Sequence, residues 1–248
     1  MPLKKSDASW IELDIVDSTN NYAMGLVHAG VAQHGTAVFA HHQNKGKGQR
    51  GKSWETEPGA NLSFSIILQP QFLLPAQMFQ LLAVTALSVR QELEKLIGDE
   101  AKIKWPNDLY WRDRKTGGIL IENIVRGTHW QWAVAGIGIN VNQTAFGALQ
   151  NPVSIKQITG KETSIQELAR SIHTALLHSL DVLKRDGFDG FFQQYNLHLY
   201  KQGQMVQLKK GSRSFITKLK GVNKQGQLQT GIDTEECFDF GEVEWIIG

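Results

Sequence analysis

Two stretches of this 248-residue sequence combine residue types that bind and activate anions. The first runs Gln43-Asn44-Lys45-Gly46-Lys47-Gly48-Gln49-Arg50-Gly51-Lys52-Ser53-Trp54. Its glycines let backbone amides come close to an anion, Lys47, Arg50 and Lys52 supply compensating charge, and Trp54 offers an indole face to a base. The second runs Lys104-Trp105-Pro106-Asn107-Asp108 and returns as Lys115-Thr116-Gly117-Gly118. Lysine is a compact charge suited to a carboxylate or phosphate, and Asn and Asp oxygens suit a hard cation such as Mg²⁺. Taken singly, each has a plain competing account, a solvated basic turn for the first and a Pro-Asn-Asp surface turn for the second.

Two further motifs are weaker. Gly136-Ile137-Gly138-Ile139-Asn140-Val141-Asn142 is an apolar strand interrupted by glycines, which marks close approach by a ligand or another backbone, or is simply a buried strand with a polar exit. Asp17-Ser18-Thr19-Asn20 reads first as a helix cap, although its hydroxyls equally suit a small polar ligand.

Several chemistries are disfavoured. The glycine loop fits neither the Walker pattern nor the dinucleotide fingerprint. The eight histidines have no metal-ligand spacing, with His41 and His42 adjacent and so on opposite faces of a strand. No serine nucleophile motif is present, which argues against covalent acyl-enzyme chemistry. A net charge of +2 is not the footprint of a duplex-binding protein, so any anion must be met by a local cluster. The one cysteine, Cys237, precludes an intrachain disulfide and fits a reducing compartment. The N-terminus has cations but no apolar signal segment, and no later stretch approaches a membrane-spanning length, so the expectation is a cytoplasmic protein with no membrane partner.

The elements that must position these residues follow from pattern. Residues 10–16 alternate as a strand, Asp17 to Asn20 start a helix that Gly30 ends, and 35–42 is a strand feeding the glycine loop. Residues 61–70 form a strand stopped by Pro70. From Pro75 a helix buries one face carrying Phe79, Leu82, Ala86, Val89, Leu93 and Leu96. Strands follow at 101–105, 117–125 and 130–142. A helix from Thr163 and Ser164, opened by a Ser-Ile-Gln-Glu capping box, carries Ile165, Leu168, Ile172, Leu176 and Leu183 to about Gly187. From Lys201 roughly five short strands separated by glycine turns suggest a small β-barrel. Succession of strands with few intervening helices gives an α+β class, a mixed, largely antiparallel sheet flanked by helices. The expected domains are 1–200 and 201–248.

In this order, the four motifs and the Lys115-Thr116-Gly117-Gly118-Ile119-Leu120-Ile121-Glu122 run resemble the biotin protein ligase family. The resemblance implies a class II synthetase-like catalytic domain with a C-terminal SH3-like domain. It implies ATP-dependent activation of biotin as biotinyl-5′-AMP, with Mg²⁺, and transfer to a lysine of a biotin carboxyl carrier protein. By matched position, Ser18, Thr19, Asn20 and Gln43 line the biotin end. Lys47, Gly48 and Gln49 fold over the valeryl carboxylate, with Gly46, Arg50 and Gly51 over the phosphate. Trp54 packs near the adenine. Lys115 holds the reacting carboxylate oxygen. Lys104, Asn107 and Asp108 surround phosphates, metal and incoming amine, and Asn140 faces the adenylate and Mg²⁺. Members of the family often pair through the central sheet, so a homodimer is among the implied partners.

Two departures matter. The family loop usually reads Gly-Arg-Gly-Arg-Arg-Gly, whereas Lys47 and Gln49 here replace two arginines and lose their bidentate fork, which implies weaker retention of the adenylate. The first catalytic strand begins by residue 10, so the resemblance is to the monofunctional type, with no DNA-binding domain and no repressor role expected. The nearest alternative is a lipoate or octanoate ligase or transferase of the same fold, disfavoured by the polar Ser18, Thr19 and Gln43 set. A non-catalytic nucleotide- or RNA-binding module is the alternative from another class.

Overall fold

The computed structural model describes residues 10–147 and 151–246. Residues 1–9, the first part of the 1–20 stretch that bears on a signal peptide, and residues 148–150 and 247–248 lie outside them. Chain order is β1 (Trp10–Val16), α1 (Thr19–His28), β2 (Ala37–Gln43), β3 (Leu62–Leu68), α2 (Met78–Ile97), β4 (Ala101–Lys104), β5 (Asp108–Trp111), β6 (Arg114–Arg126), β7 (His129–Ile139), α3 (Ile155–Thr159), α4 (Ile165–Asp186), α5 (Asp189–Leu197), then β8 (Met205–Lys210), β9 (Arg213–Val222), β10 (Leu228–Thr230), β11 (Glu236–Phe238) and β12 (Glu244–Ile246). The first seven strands form one sheet in the order β1-β2-β3-β7-β6-β5-β4, and the last five a second sheet, β11-β10-β9-β8-β12. Among the named strands of the described residues, β1 and β2 pair in parallel and the other pairs are antiparallel. The expected α+β class, with a mixed and largely antiparallel sheet, is what the chain adopts.

Strand alternation decides the layers. On β7, Ala133, Ala135, Ile137 and Ile139 face the main core with Leu62, Phe64, Ile66 and Leu68 of β3, and α2 and α4 cover that face. Alternation puts Val134, Gly136 and Gly138 on the opposite face, where α1 packs on Val38, Ile67 and Val134 through Ala23. The cavity described below opens on that second face, beside α1.

Several elements differ from the pattern reading. Helix α2 is buried over a wider arc than a single face: Leu81, Val84, Thr85 and Ser88 are covered as well as Ala86, Val89 and Leu93, while Leu96 is 39% exposed and Leu82 only half-buried. The cause is that α2 lies between the sheet and α4, and Ser88 donates to Ser179 at 3.1 Å across the helix pair. On α4 the Ser164 hydroxyl accepts from the Glu167 N–H at 3.3 Å, as the capping pattern requires. The reciprocal box forms at α3, where Ser154 and Gln157 exchange side-chain to backbone bonds. Strand β5 escaped the reading because its four residues follow a Pro-Asn turn, and α5 because Gly187 and Gly190 flank its start. Among the described residues no helix is long and apolar enough to cross a membrane.

Candidate active site

The cavity floor is a transverse row of paired residues. Ser63 on β3 pairs with Gly138 on β7, Gly138 with Gly118 on β6, Gly118 with Asp108 on β5, and Asp108 with Lys104 on β4. Paired residues project to the same face, about 4.8 Å apart per strand, so five strands deliver one row. Two of its members are glycines, and the next row, through Ser65, Gly136 and Leu120, adds a third. These glycines have a specific use: a Cβ on Gly138 would lie 2.5 Å from the Trp54 indole, and one on Gly136 would lie 2.2 Å from the Asn20 side chain. Close approach at these strand glycines was expected, and side chains are what approach.

The result is a cavity of about 680 Å³ roofed by the glycine loop and walled on one side by Phe240, Gly241 and Val243 of the β11–β12 turn and Glu244 and Trp245 of β12. The loop is a pinned hairpin: Lys47 and Ser53 form a bridge, the Trp54 N–H donates to the Gly46 carbonyl at 2.8 Å, and the Gly48 N–H to the Lys52 carbonyl at 2.7 Å. Gly46 is required there, since a Cβ would meet the Trp54 carbonyl at 2.2 Å and the Gln43 amide at 2.9 Å.

One end of the cavity is neutral and polar. Ser18, Thr19 and Asn20 are buried at the start of α1. Helix α1 starts where the Asp-Ser-Thr-Asn reading put it, but Ser18 makes no side-chain capping bond. Instead the Thr19 N–H and hydroxyl both donate to Gln43 Oε1, at 2.8 and 3.1 Å. That fixes the Gln43 carbonyl on the protein and leaves its amide hydrogens for other acceptors. Asn20 lines the cavity too, but its Nδ2 donates to Glu122 at 2.8 Å and to the Leu120 carbonyl at 3.4 Å, while Oδ1 accepts from Ser65 at 2.6 Å. Its amide is therefore largely committed to the protein.

The other end is charged. Asp108 is a hub, with Lys115 Nζ at 2.6 Å from Oδ1 and Lys104 Nζ at 3.9 Å from Oδ2. Lys104 is 12% exposed and lies 4.9 Å from the Tyr110 ring and 5.6 Å from the Trp245 ring. Burial pushes its amine down to about 8, opposed by Asp108 and assisted by Lys115 and Lys52. Asn107 is a structural pin: its Nδ2 donates to the Ile119 carbonyl at 2.6 Å and its carbonyl accepts from the Ile119 N–H at 2.9 Å.

Of the sixteen residues to which the family resemblance gives site roles, thirteen line this cavity: Ser18, Thr19, Asn20, Gln43, Lys47, Gly48, Gln49, Arg50, Trp54, Lys104, Asn107, Asp108 and Lys115. Gly46, Gly51 and Asn140 do not. Asn140 is buried and donates through Nδ2 to the Lys115 carbonyl at 3.3 Å, so it steadies the strand that carries Lys115. Arg50 lines the cavity with its guanidinium 4.9 Å from the Phe240 ring centre and Nη2 3.5 Å from the Phe240 carbonyl. Pattern reading overlooked Glu122, Ser65 and the wall from Phe240 to Trp245. Glu122 closes a quoted motif and could have been found there; the wall lies in the C-terminal Phe-Gly-Glu-Val-Glu-Trp-Ile run, to which the family resemblance extends weakly, but nothing local shows that this run reaches the cavity.

The described protein side chains alone make no cage for Mg²⁺, an ion usually held by one or two carboxylates together with substrate phosphates. Among the described residues no group of three or more His, Cys, Asp or Glu side chains converges, Asp108 is already paired to lysine, and Asn140 is committed elsewhere.

Residues 12–140, just over half the chain, match the biotin/lipoate A/B protein ligase family. The chain belongs to that family. It is 30% identical over 220 residues to the bifunctional ligase/repressor BirA of Escherichia coli, covering 87% of this chain and 67% of that protein. It is equally 30% identical over 220 residues to the biotin–[acetyl-CoA-carboxylase] ligase of Paracoccus denitrificans, covering 86% of this chain and 90% of that one. The biotin protein ligase of Aquifex aeolicus, solved in complex with biotin and ATP, superposes with a TM-score of 0.82 at 27% identity, over 97% of this chain and 99% of that one.

Proposed function

We propose that the chain is an ATP-dependent ligase that activates biotin as biotinyl-5′-AMP and transfers it to a lysine of a biotin carboxyl carrier protein. The observation that carries this reading is a single cavity that joins the Thr19–Gln43 polar end to the Lys104–Asp108–Lys115 cluster beneath one glycine loop. In the first step a biotin carboxylate oxygen attacks the α-phosphorus of ATP, an oxygen–phosphorus bond forms and pyrophosphate leaves. In the second the carrier amine attacks the acyl carbon, an amide forms and AMP leaves.

Each group has a part in this. Ser18 and the Gln43 amide meet the ureido head, which both donates and accepts. Lys115 holds the reacting carboxylate, and the neighbouring lysine charge and loop amides lower the cost of bringing two anions together. Lys104 receives the phosphates, and Asp108 keeps both lysines oriented and is placed to accept hydrogen bonds from the incoming amine. The hairpin of Gly46 to Trp54 keeps water from the mixed anhydride until the amine arrives. Trp54, whose Nε1 is buried without a hydrogen-bond partner among the described residues, offers the adenine both a ring face and a donor. Mg²⁺ belongs to this reading as the companion of ATP, and the cytoplasm as the compartment that supplies both.

The test is incubation with biotin, ATP, Mg²⁺ and a biotin carboxyl carrier domain, followed by intact mass. One added biotin is expected, with loss of transfer and an unchanged thermal melt in Lys115→Ala. Failure to add biotin, with ATP–pyrophosphate exchange driven by lipoate, would assign the chain to the other branch of its family.

A further inference from the structure

The polar end of the cavity does not stop at the residues that face it. Thr19 donates to Gln43 Oε1 at 3.1 Å; Ser65 lies behind, 2.7 Å from Thr19 Oγ1 and 2.6 Å from Asn20 Oδ1. Asn20 then donates to Glu122 Oε2 at 2.8 Å, and the other oxygen, Oε1, is 3.4 Å from Lys47 Nζ in the glycine loop. Gly136 leaves the space in which Asn20 lies. Glu122 projects from β6 on the face that carries Gly118 and Leu120, so its two oxygens reach a buried amide and a loop cation at once.

From this geometry we infer that Glu122 is a positioning residue that couples the floor of the ligand site to the glycine loop. Its carboxylate fixes the Asn20 amide, and through Ser65 the Thr19–Gln43 pair, while the same group tethers Lys47. The inference rests on the ligase reading for the identity of the ligand, not for the coupling itself. The two contacts can be separated by chemistry. In Glu122→Gln the amide oxygen still accepts from Asn20, but its NH₂ then faces the Lys47 ammonium, so only the tether is lost. In Glu122→Ala both are lost, and the buried Asn20 amide keeps only its long 3.4 Å bond to the Leu120 carbonyl.

Biotin affinity by calorimetry and the rate of tryptic cleavage after Arg50 read the two ends independently, with thermal melts to confirm folding. The tether is half-exposed, so Glu122→Gln and Lys47→Ala are each expected to speed cleavage about two- to fivefold, and Glu122→Gln to keep biotin affinity within about twofold of wild type. The double variant is expected to cleave no faster than either single one. Glu122→Ala is expected to weaken biotin about tenfold as well. Multiplicative effects in the double variant, or wild-type biotin affinity in Glu122→Ala, would overturn the coupling. A wild-type protein that binds no biotin would instead overturn the ligase reading, and the cleavage arms would still decide the tether.

Discussion

Lys104 offers the sharpest quantitative test of the charged end. A solvated lysine ionises at 10.5, but burial beside Tyr110 and Trp245 brings Lys104 to about 8, with Asp108 opposing the shift and Lys115 and Lys52 reinforcing it. If its charge receives the phosphates of ATP, binding requires the protonated amine. At pH 7 about nine in ten free molecules carry that proton, and at pH 9 about one in ten, so the apparent Kd for ATP should rise about tenfold, close to 1.4 kcal/mol. A lysine at its ordinary value would leave the same span flat. The assay is calorimetric titration with a non-hydrolysable ATP analogue at both pH values, in two buffers of different ionisation enthalpy so that proton uptake above pH 8 is read directly. Lys104→Arg keeps its charge throughout and should bind with the same affinity at both pH values. The sign for folding runs the other way. The unfolded chain binds the extra proton between about 8 and 10.5, so this residue makes the free protein more stable as pH rises through that window. A wild-type affinity that stays flat from pH 7 to 9 would refute the assignment of Lys104 to the phosphates.

Two smaller changes test the roof of the cavity. Gly138→Ala places a Cβ 2.5 Å from the Trp54 indole, and is expected to displace the hairpin, cost about 1–3 kcal/mol in a urea melt and lower the rate of adenylate formation. Gln49→Arg restores a fork donor to the loop, and is expected to slow dissociation of biotinyl-5′-AMP, measured by stopped-flow chase; an unchanged rate would remove Gln49 from adenylate retention.

What could be read from sequence tracks how local the cause is. Strand β7 was legible, and so was the meaning of Gly136 and Gly138, because a glycine inside a strand has few uses. Which groups approach them was not legible, since Asn20 and Trp54 arrive from 116 and 84 residues upstream. The start of α1 was found, yet its cap was misread, because Thr19 takes the distant Gln43 carbonyl rather than a local amide and Ser18 makes no capping bond. Arg50 followed the loop pattern into the cavity, and its guanidinium there meets Phe240 in the turn before β12, an attraction with no trace near residue 50. Strand β5 carries Asp108, the hub of the charged end, in a segment too short for any periodicity to show.

The row that crosses β3, β7, β6, β5 and β4 ties the ligand cavity to strand pairing. Slipping β7 by one residue against its neighbours would turn Gly136 and Gly138 toward the main core and push Ile137 and Ile139 into the cavity. The core would then be left with voids where isoleucines belonged, and the site with branched side chains where Asn20 and Trp54 must lie. The same misalignment is therefore penalised twice, once as lost burial and once as a blocked site. A mispaired chain of this kind would have neither a filled core nor room for a ligand, so ligand-competent molecules and correctly registered molecules are the same population.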